Sequence, residues 1–197
     1  MQAFAYVHPE NLKEALASLT PTWGETDILA GGTDLLALMK DYVHTPKTVV
    51  SLKGVKELKG IKSSAAGLEI GAMTTVDDLM SNAAARAYPA LLQAAQGISS
   101  PQIRNLGTVG GDLCQRPRCW YFRQGFGLLA QKDGRSLVEA GENRYHAIFG
   151  SGPARFVSAS SFAPALIALG AKVKIASAAG EREVAVADFF VAPSAEG

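Results

Sequence analysis

Two glycine pairs mark the residues best suited to chemistry. The first lies in "ILAGGTDLLALMK", residues 28–40, where Gly31 and Gly32 separate an apolar run from one with helical spacing. The second lies in "NLGTVGGDL", residues 105–113, where Gly110 and Gly111 again follow an apolar step and a threonine. A strand that ends on bare backbone where a helix begins offers unpaired N–H groups and a partial positive charge, which suits a phosphate. A plain tight turn would use the same residues. Neither loop matches G-x-G-x-x-G or the GK[ST] phosphate loop, which argues against the common dinucleotide and ATP folds. Two such loops in separate parts of the chain fit a ligand whose diphosphate is held between two halves.

The remaining polar candidates have plainer readings. His8, His44 and His146 show no spacing for a metal site or a nucleophile–base pair, so surface or turn roles are expected. Arg116, Arg118 and Arg123 could meet phosphate or a partner's carboxylates, and Arg118 is taken as a cofactor contact on the strength of arginine's forked geometry. Trp120, Tyr121 and Phe122 either shield a planar ring or form a small core cluster. Asp77 and Asp78 read as first-turn helix residues.

The elements that must position the glycine loops alternate early in the chain. "AFAYVHP" reads as a short strand, and Leu12, Leu16 and Leu19 mark a helix with Pro9 and Glu10 in its first turn. "TDILA" reads as a buried strand, "TDLLALMKD" as a helix capped by Thr33 or Asp34, and "KTVVSLK" as a third strand. Residues 1–54 therefore form one β-α-β-α-β subdomain and residues 55–197 a larger second one. In the second, "GIKSSAAGLEIGAMTT" predicts a hairpin, and "TTVDDLMSNAAARAYPALLQAAQGI" predicts helix broken at Pro89. The Gly-, Arg- and Pro-rich stretch after residue 100 cannot be one long helix. "RYHAIFG" and "ARFVSAS" predict strands, "SFAPALIALG" a short helix, and "AKVKIAS" with "REVAVADFF" a closing hairpin. The fold class is α+β with two subdomains.

Composition narrows the function classes. The net charge of +1, with no long run of one sign, gives no electrostatic case for nucleic acid. No stretch approaches the roughly 20 apolar residues of a membrane span. The N-terminus lacks the basic and apolar regions of a secretory signal. Two cysteines, Cys114 and Cys119, make no disulfide framework, and a reducing, cytoplasmic setting is expected unless a partner carries an export signal.

Four motifs, "AGGTDLLALMK", "IGAMTTVDDL", "IRNLGTVGGDL" and "SSFAPALIALGAKVKI", occur in the order seen in the FAD-binding subunits of the xanthine dehydrogenase and carbon monoxide dehydrogenase family. "LCQRPRCWYFR" resembles the branch with aldehyde-oxidising enzymes and 4-hydroxybenzoyl-CoA reductase. The resemblance runs from about Phe4 to Phe190. It implies a flavin fold of the vanillyl-alcohol-oxidase type, with FAD between the two subdomains. Leu29, Ala30, Gly31, Gly32, Thr33, Asp34 and Leu35 would hold the diphosphate, Thr108, Gly110, Gly111 and Asp112 would form the second clamp, and Thr74 and Ser161 would lie near the flavin.

The resemblance further implies an electron relay. A large partner subunit with a molybdenum cofactor oxidises substrate, a small [2Fe–2S] partner passes electrons on, and the FAD of this chain delivers them to an external acceptor. No residue is expected to act as a catalytic acid, base or nucleophile, and no metal is expected on this chain.

Three departures stand against the family pattern. Asp112 replaces the usual Asn, Phe162 replaces the Asp of a Ser-Asp pair, and a smaller C-terminal domain is missing from the 197 residues. Some relatives hold a [4Fe–4S] cluster through four cysteines in the segment after the second clamp. Cys114 and Cys119 supply two, so two free thiols are expected instead. The departures leave an alternative open, a flavin-free structural or assembly subunit of the same kind of complex. A stand-alone flavin reductase or oxidase would need its own base, and no His or Glu is placed for one.

Overall fold

Three short strands near the N-terminus share one parallel sheet. A computed structural model describes residues 1–150 and 152–195. Strands β1 (Ala5–Val7), β2 (Thr26–Leu29) and β3 (Thr48–Ser51) pair in the order β1-β3-β2. Parallel pairing requires crossovers, and α1 (Leu12–Ala17) and α2 (Leu35–Lys40) supply them. The central strand buries Val49, Val50 and Ser51, each apolar side chain contributing about 1.5–3 kcal/mol. Pro9 and Glu10 precede α1. Its cap is Asn11, whose side chain accepts from Glu14 N at 2.9 Å while Glu14 accepts from Glu10 N at 3.0 Å.

The hairpin β4 (Ile61–Ser64) and β5 (Gly67–Ile70) follows. It packs on a helical layer of α3 (Val76–Ser81), α4 (Pro89–Gln96) and α5 (Pro101–Leu106). Thr75 caps α3 by accepting from Asp78 N at 3.0 Å, which places Asp77 and Asp78 in its first turn. Pro89 starts α4 instead of breaking it, because a residue at the first helical position needs no N–H. Val76, Leu79, Leu91 and Ala95 form the core there, with Val109 of α6 (Val109–Leu113). Phe162, fully buried, completes it just before α9 (Ala163–Ala168).

A second core joins the N-terminal sheet to the middle of the chain. Leu38 of α2 packs with Cys119, with Phe122 of α7 (Trp120–Arg123), and with Ala130 and Val138. Strands β6 (Gln131–Lys132) and β7 (Arg135–Ser136) and helix α8 (Leu137–Ala140) brace this region. Phe122 is thus a core residue, while Trp120 and Tyr121 pack around His146.

Residues 144–150 and 154–160, expected as strands, carry none among the described residues. Ala147 N donates to Arg155 O at 2.8 Å, but no ladder develops around that contact. The apolar side chains that suggested strands, Ile148 and Phe149, point to solvent and have no sheet face to fill. The chain then forms α9 (Ala163–Ala168), the antiparallel pair β8 (Lys172–Ser177) and β9 (Gly180–Ala185), and the turn α10 (Val186–Phe189). The segment "VADFF", assigned from sequence to a strand, is helical in its first four residues.

Candidate functional site

The two glycine loops meet. A Cβ on Gly31 would lie 1.9 Å from the Leu106 carbonyl oxygen, so only glycine lets the loop after β2 touch the end of α5, where the second glycine loop begins. Gly32 serves differently. Its φ of +79° reverses the chain into α2, and a Cβ there would press on Leu29 and Leu36 at 3.0–3.1 Å. Gly110 N donates to Ala72 O at 2.9 Å, which fixes the second loop on the segment after β5. Thr108 caps α6 by accepting from Gly111 N at 3.1 Å.

Between the loops lies a cleft of about 420 Å³, walled by Ala30 to Leu35, Thr108, Gly110 and Gly111. An adjoining cavity of about 270 Å³ shares Thr33, Asp34, Thr108 and Gly111 and extends to Ser161 and Arg118. Both volumes together fall within the size range of cofactor sites, about 300–1,000 Å³. Ile28, Leu52 and Met73 give the larger cleft an apolar wall beside its bare backbone. Strand β2 departs from the buried apolar strand expected from "TDILA". Ile28 is 48% exposed and faces the cleft, whereas Asp27 is only 8% exposed. An apolar surface next to open glycine backbone fits a ligand with a flat ring and an anionic chain.

Several residues assigned from sequence have other occupations. Asp34 stands at the cap position of α2 yet makes no cap bond. Its carboxylate accepts from Arg116 N at 2.8 Å and from Arg123 Nη2 at 2.8 Å, and so ties the first glycine loop to the 116–123 segment. Asp112 accepts from the Ser160 hydroxyl, from Phe162 N at 3.1 Å and from Ser161 N at 3.3 Å. The donors at the start of α9 thus occupy both oxygens of that carboxylate. Thr74 is buried and donates its hydroxyl to Gly60 O at 3.0 Å. Leu29 lies outside the lining and packs beneath Gly32. Arg118 reaches the smaller cavity while its Nη2 donates to Gln115 at 2.7 Å.

Sequence reasoning missed one pair, whose acid Asp27 borders this cleft. His44 is buried, not on the surface, and its Nδ1 lies 3.1 Å from Asp27 Oδ2. Burial pushes the Asp27 carboxyl up, but the hydrogen bond and charge of His44, with the Arg116 guanidinium, hold it below the usual carboxylate range. An ionised carboxylate only accepts, so Nδ1 of His44 carries the proton. Arg116 Nη2 approaches Asp27 Oδ1 at 3.5 Å, and its guanidinium lies 4.3 Å over the Trp23 ring. The available signal was Asp27 itself, a charge inside an apolar strand that borders a glycine loop. His146 also departs from a surface role, since its Nε2 lies 3.1 Å from the Cys119 sulfur. Cys114 and Cys119 are unpaired thiols.

Comparison with known proteins gives this geometry a class. Residues 2–196 match the family described as the FAD binding domain in molybdopterin dehydrogenase. The chain belongs to that family, whose cofactor is FAD. The FAD-binding subunit PaoB of Escherichia coli aldehyde oxidoreductase is 34% identical over 98% of this chain and 62% of its own length. The glyceraldehyde dehydrogenase medium chain of Sulfolobus acidocaldarius is 30% identical over 96% of this chain and 53% of its own. In structure, carbon monoxide dehydrogenase from Hydrogenophaga pseudoflava aligns over 96% of this chain and 53% of that one, with a TM-score of 0.70 and 27% identity. The chain spans roughly half of the relatives' length. No helix among the described residues is long and apolar enough to cross a membrane.

Proposed function

We propose that this chain carries the FAD of a multi-subunit molybdenum-dependent hydroxylase or dehydrogenase and relays electrons from partner iron–sulfur clusters to an external acceptor. The supporting observation is the contact of two glycine loops, at Gly31 and Leu106, beside a cleft of about 420 Å³ in a chain matched to an FAD-binding family along its length. FAD, when bound, supplies the redox chemistry; the protein binds and orients it. The loop at 30–35 would take the diphosphate on its backbone, and the loop at 108–111, whose Gly110 and Gly111 N–H groups bond within the protein, would close the opposite wall. Ile28, Leu52 and Met73 would exclude water from an apolar ring on the adjacent wall. The two lobes, residues 1–54 and 55–197, would close on the cofactor in a vanillyl-alcohol-oxidase-type fold.

The partners in this reading are a large subunit with the molybdenum cofactor and a small [2Fe–2S] subunit, in the cytoplasm. Relatives named as medium chains of carbon monoxide dehydrogenase and glyceraldehyde dehydrogenase support a multi-subunit assembly. The flavin-free alternative drew in part on Asp112 and Phe162. Both have roles inside the protein, as a clasp on α9 and as a core side chain, which accounts for these two residues without a loss of the cofactor. Affinity capture of the tagged chain from its native cells, with molybdenum, iron and flavin analysis, tests the proposal. Co-purification with molybdenum- and iron-containing subunits is expected. A flavin-loaded chain that purifies without any such subunit would contradict the relay.

A further inference from the structure

Among the described residues, the charged side chains lining the two cavities are Asp27, Asp34, Asp112, Arg116 and Arg118. Each carboxylate already has protein donors: His44 for Asp27, Arg123 and a backbone N–H for Asp34, and the start of α9 for Asp112. The guanidinium groups are therefore the side-chain positive charge that this lining can offer an anionic ligand. They are not equivalent. The Arg118 side chain is 62% exposed, and its Nη2 is engaged by Gln115, so ordering it around a phosphate would cost side-chain entropy.

Arg116 is held in advance from three directions. Its backbone N–H donates to Asp34 Oδ2 at 2.8 Å, which fixes the main chain to the glycine loop itself. Its Nη2 lies 3.5 Å from Asp27 Oδ1, and Trp23 supports the guanidinium plane at 4.3 Å. The Asp27 contact uses Nη2, and a guanidinium has five N–H donors in a fixed fork. Arg116 also borders the larger cleft together with both glycine loops.

We propose that Arg116 binds the diphosphate of the flavin cofactor, with Asp34, Asp27 and Trp23 as its positioning residues. This rests on the FAD reading above and moves the cationic role from Arg118 to Arg116. A charge-assisted contact of this kind changes affinity roughly 10- to 100-fold.

The test titrates FAD, ADP and riboflavin into the full chain and into Arg116→Ala, Arg116→Lys and Arg118→Ala variants, with thermal melting as a folding control. Arg116→Ala should weaken FAD and ADP by roughly 10- to 100-fold, leave riboflavin unchanged, and flatten the salt dependence of FAD binding. Arg118→Ala should change FAD affinity by less than about threefold, as an exposed charge does. Arg116→Lys keeps the charge and the backbone bond, so it should show an intermediate loss with the salt dependence retained, even if the alanine variant fails to fold. FAD affinity in a folded Arg116→Ala chain equal to that of the parent would overturn the assignment alone, as would a larger loss in Arg118→Ala. A parent chain that binds none of the three probes would instead overturn the FAD reading.

Discussion

Asp34 and Arg123 lie 89 residues apart in sequence and meet at 2.8 Å. The same carboxylate takes the Arg116 N–H, and Arg123 also donates to Pro117 O at 2.8 Å and to Arg116 O at 3.2 Å. One acid and one base thus hold the 116–123 segment against the first glycine loop. Replacing Asp34 by Asn keeps the shape and removes the charge. The expected outcome is a stability loss of about 1–3 kcal/mol, from weakened charge-assisted bonds, together with weaker FAD binding. Denaturant melts and FAD titration of the same variant check both parts. Parent-like values in both would show that the clip is incidental.

Gly31→Ala should be more damaging than its size suggests. The added methyl would meet the Leu106 carbonyl at 1.9 Å, so the loops must part. Overpacking of this kind costs about 1–3 kcal/mol, and here it also widens the cleft. Gly32→Val should fail for a different reason, the φ of +79° that a branched side chain resists. A comparison of melting temperature and FAD affinity separates the cases. Full FAD affinity in Gly31→Ala would mean that the loop contact does not shape the cleft.

The Asp27–His44 pair predicts acid sensitivity. Because the folded protein holds Asp27 below its usual range, the stability contributed by the Asp27 carboxylate is complete above the ordinary carboxylate range. It is lost as pH falls through the lowered pKa of the folded state. Asp27→Asn should therefore flatten the fall of stability below the ordinary carboxylate range, measured by denaturation across that window. His44→Ala removes one donor from a buried carboxylate that keeps Arg116 beside it, and should cost about 1–3 kcal/mol. An unchanged acid limb in Asp27→Asn would place the sensitivity elsewhere.

Cys114 gives a local probe of Arg116. The packing around its thiol pushes the pKa up, and the Arg116 charge partly opposes that. Iodoacetamide labelling of Cys114 should rise only above the ordinary thiol range, and Arg116→Ala should shift the rise to still higher pH. Labelling that is independent of residue 116 would show that the two groups do not sense each other.

How far the sequence foretold the site depended on the range of the interactions involved. The glycine loops and their flanking strand and helix follow from local pattern, since a β-α-β alternation and Gly-Gly steps are written in neighbouring residues. The hairpins at 61–70 and 172–185 were legible for the same reason. The strands expected at 144–150 and 154–160 failed because an apolar run forms a strand only where a partner edge exists. The hydrogen bonds of Asp34 and Asp112 were not legible because their partners, Arg123 and Phe162, lie far along the chain. His44 escaped notice because its significance depends on Asp27, which the fold turns inward against the pattern of its strand.

The most direct test of the central claim is a titration of the chain with FAD and with FMN under identical conditions, followed by flavin fluorescence or absorbance. Two glycine loops on one cleft are suited to a diphosphate, and FMN carries only one phosphate. The account predicts saturable, stoichiometric FAD binding and markedly weaker FMN binding, with FAD recovered by chromatography after acid release. Equal affinity for FMN, or no binding of either flavin, would contradict it.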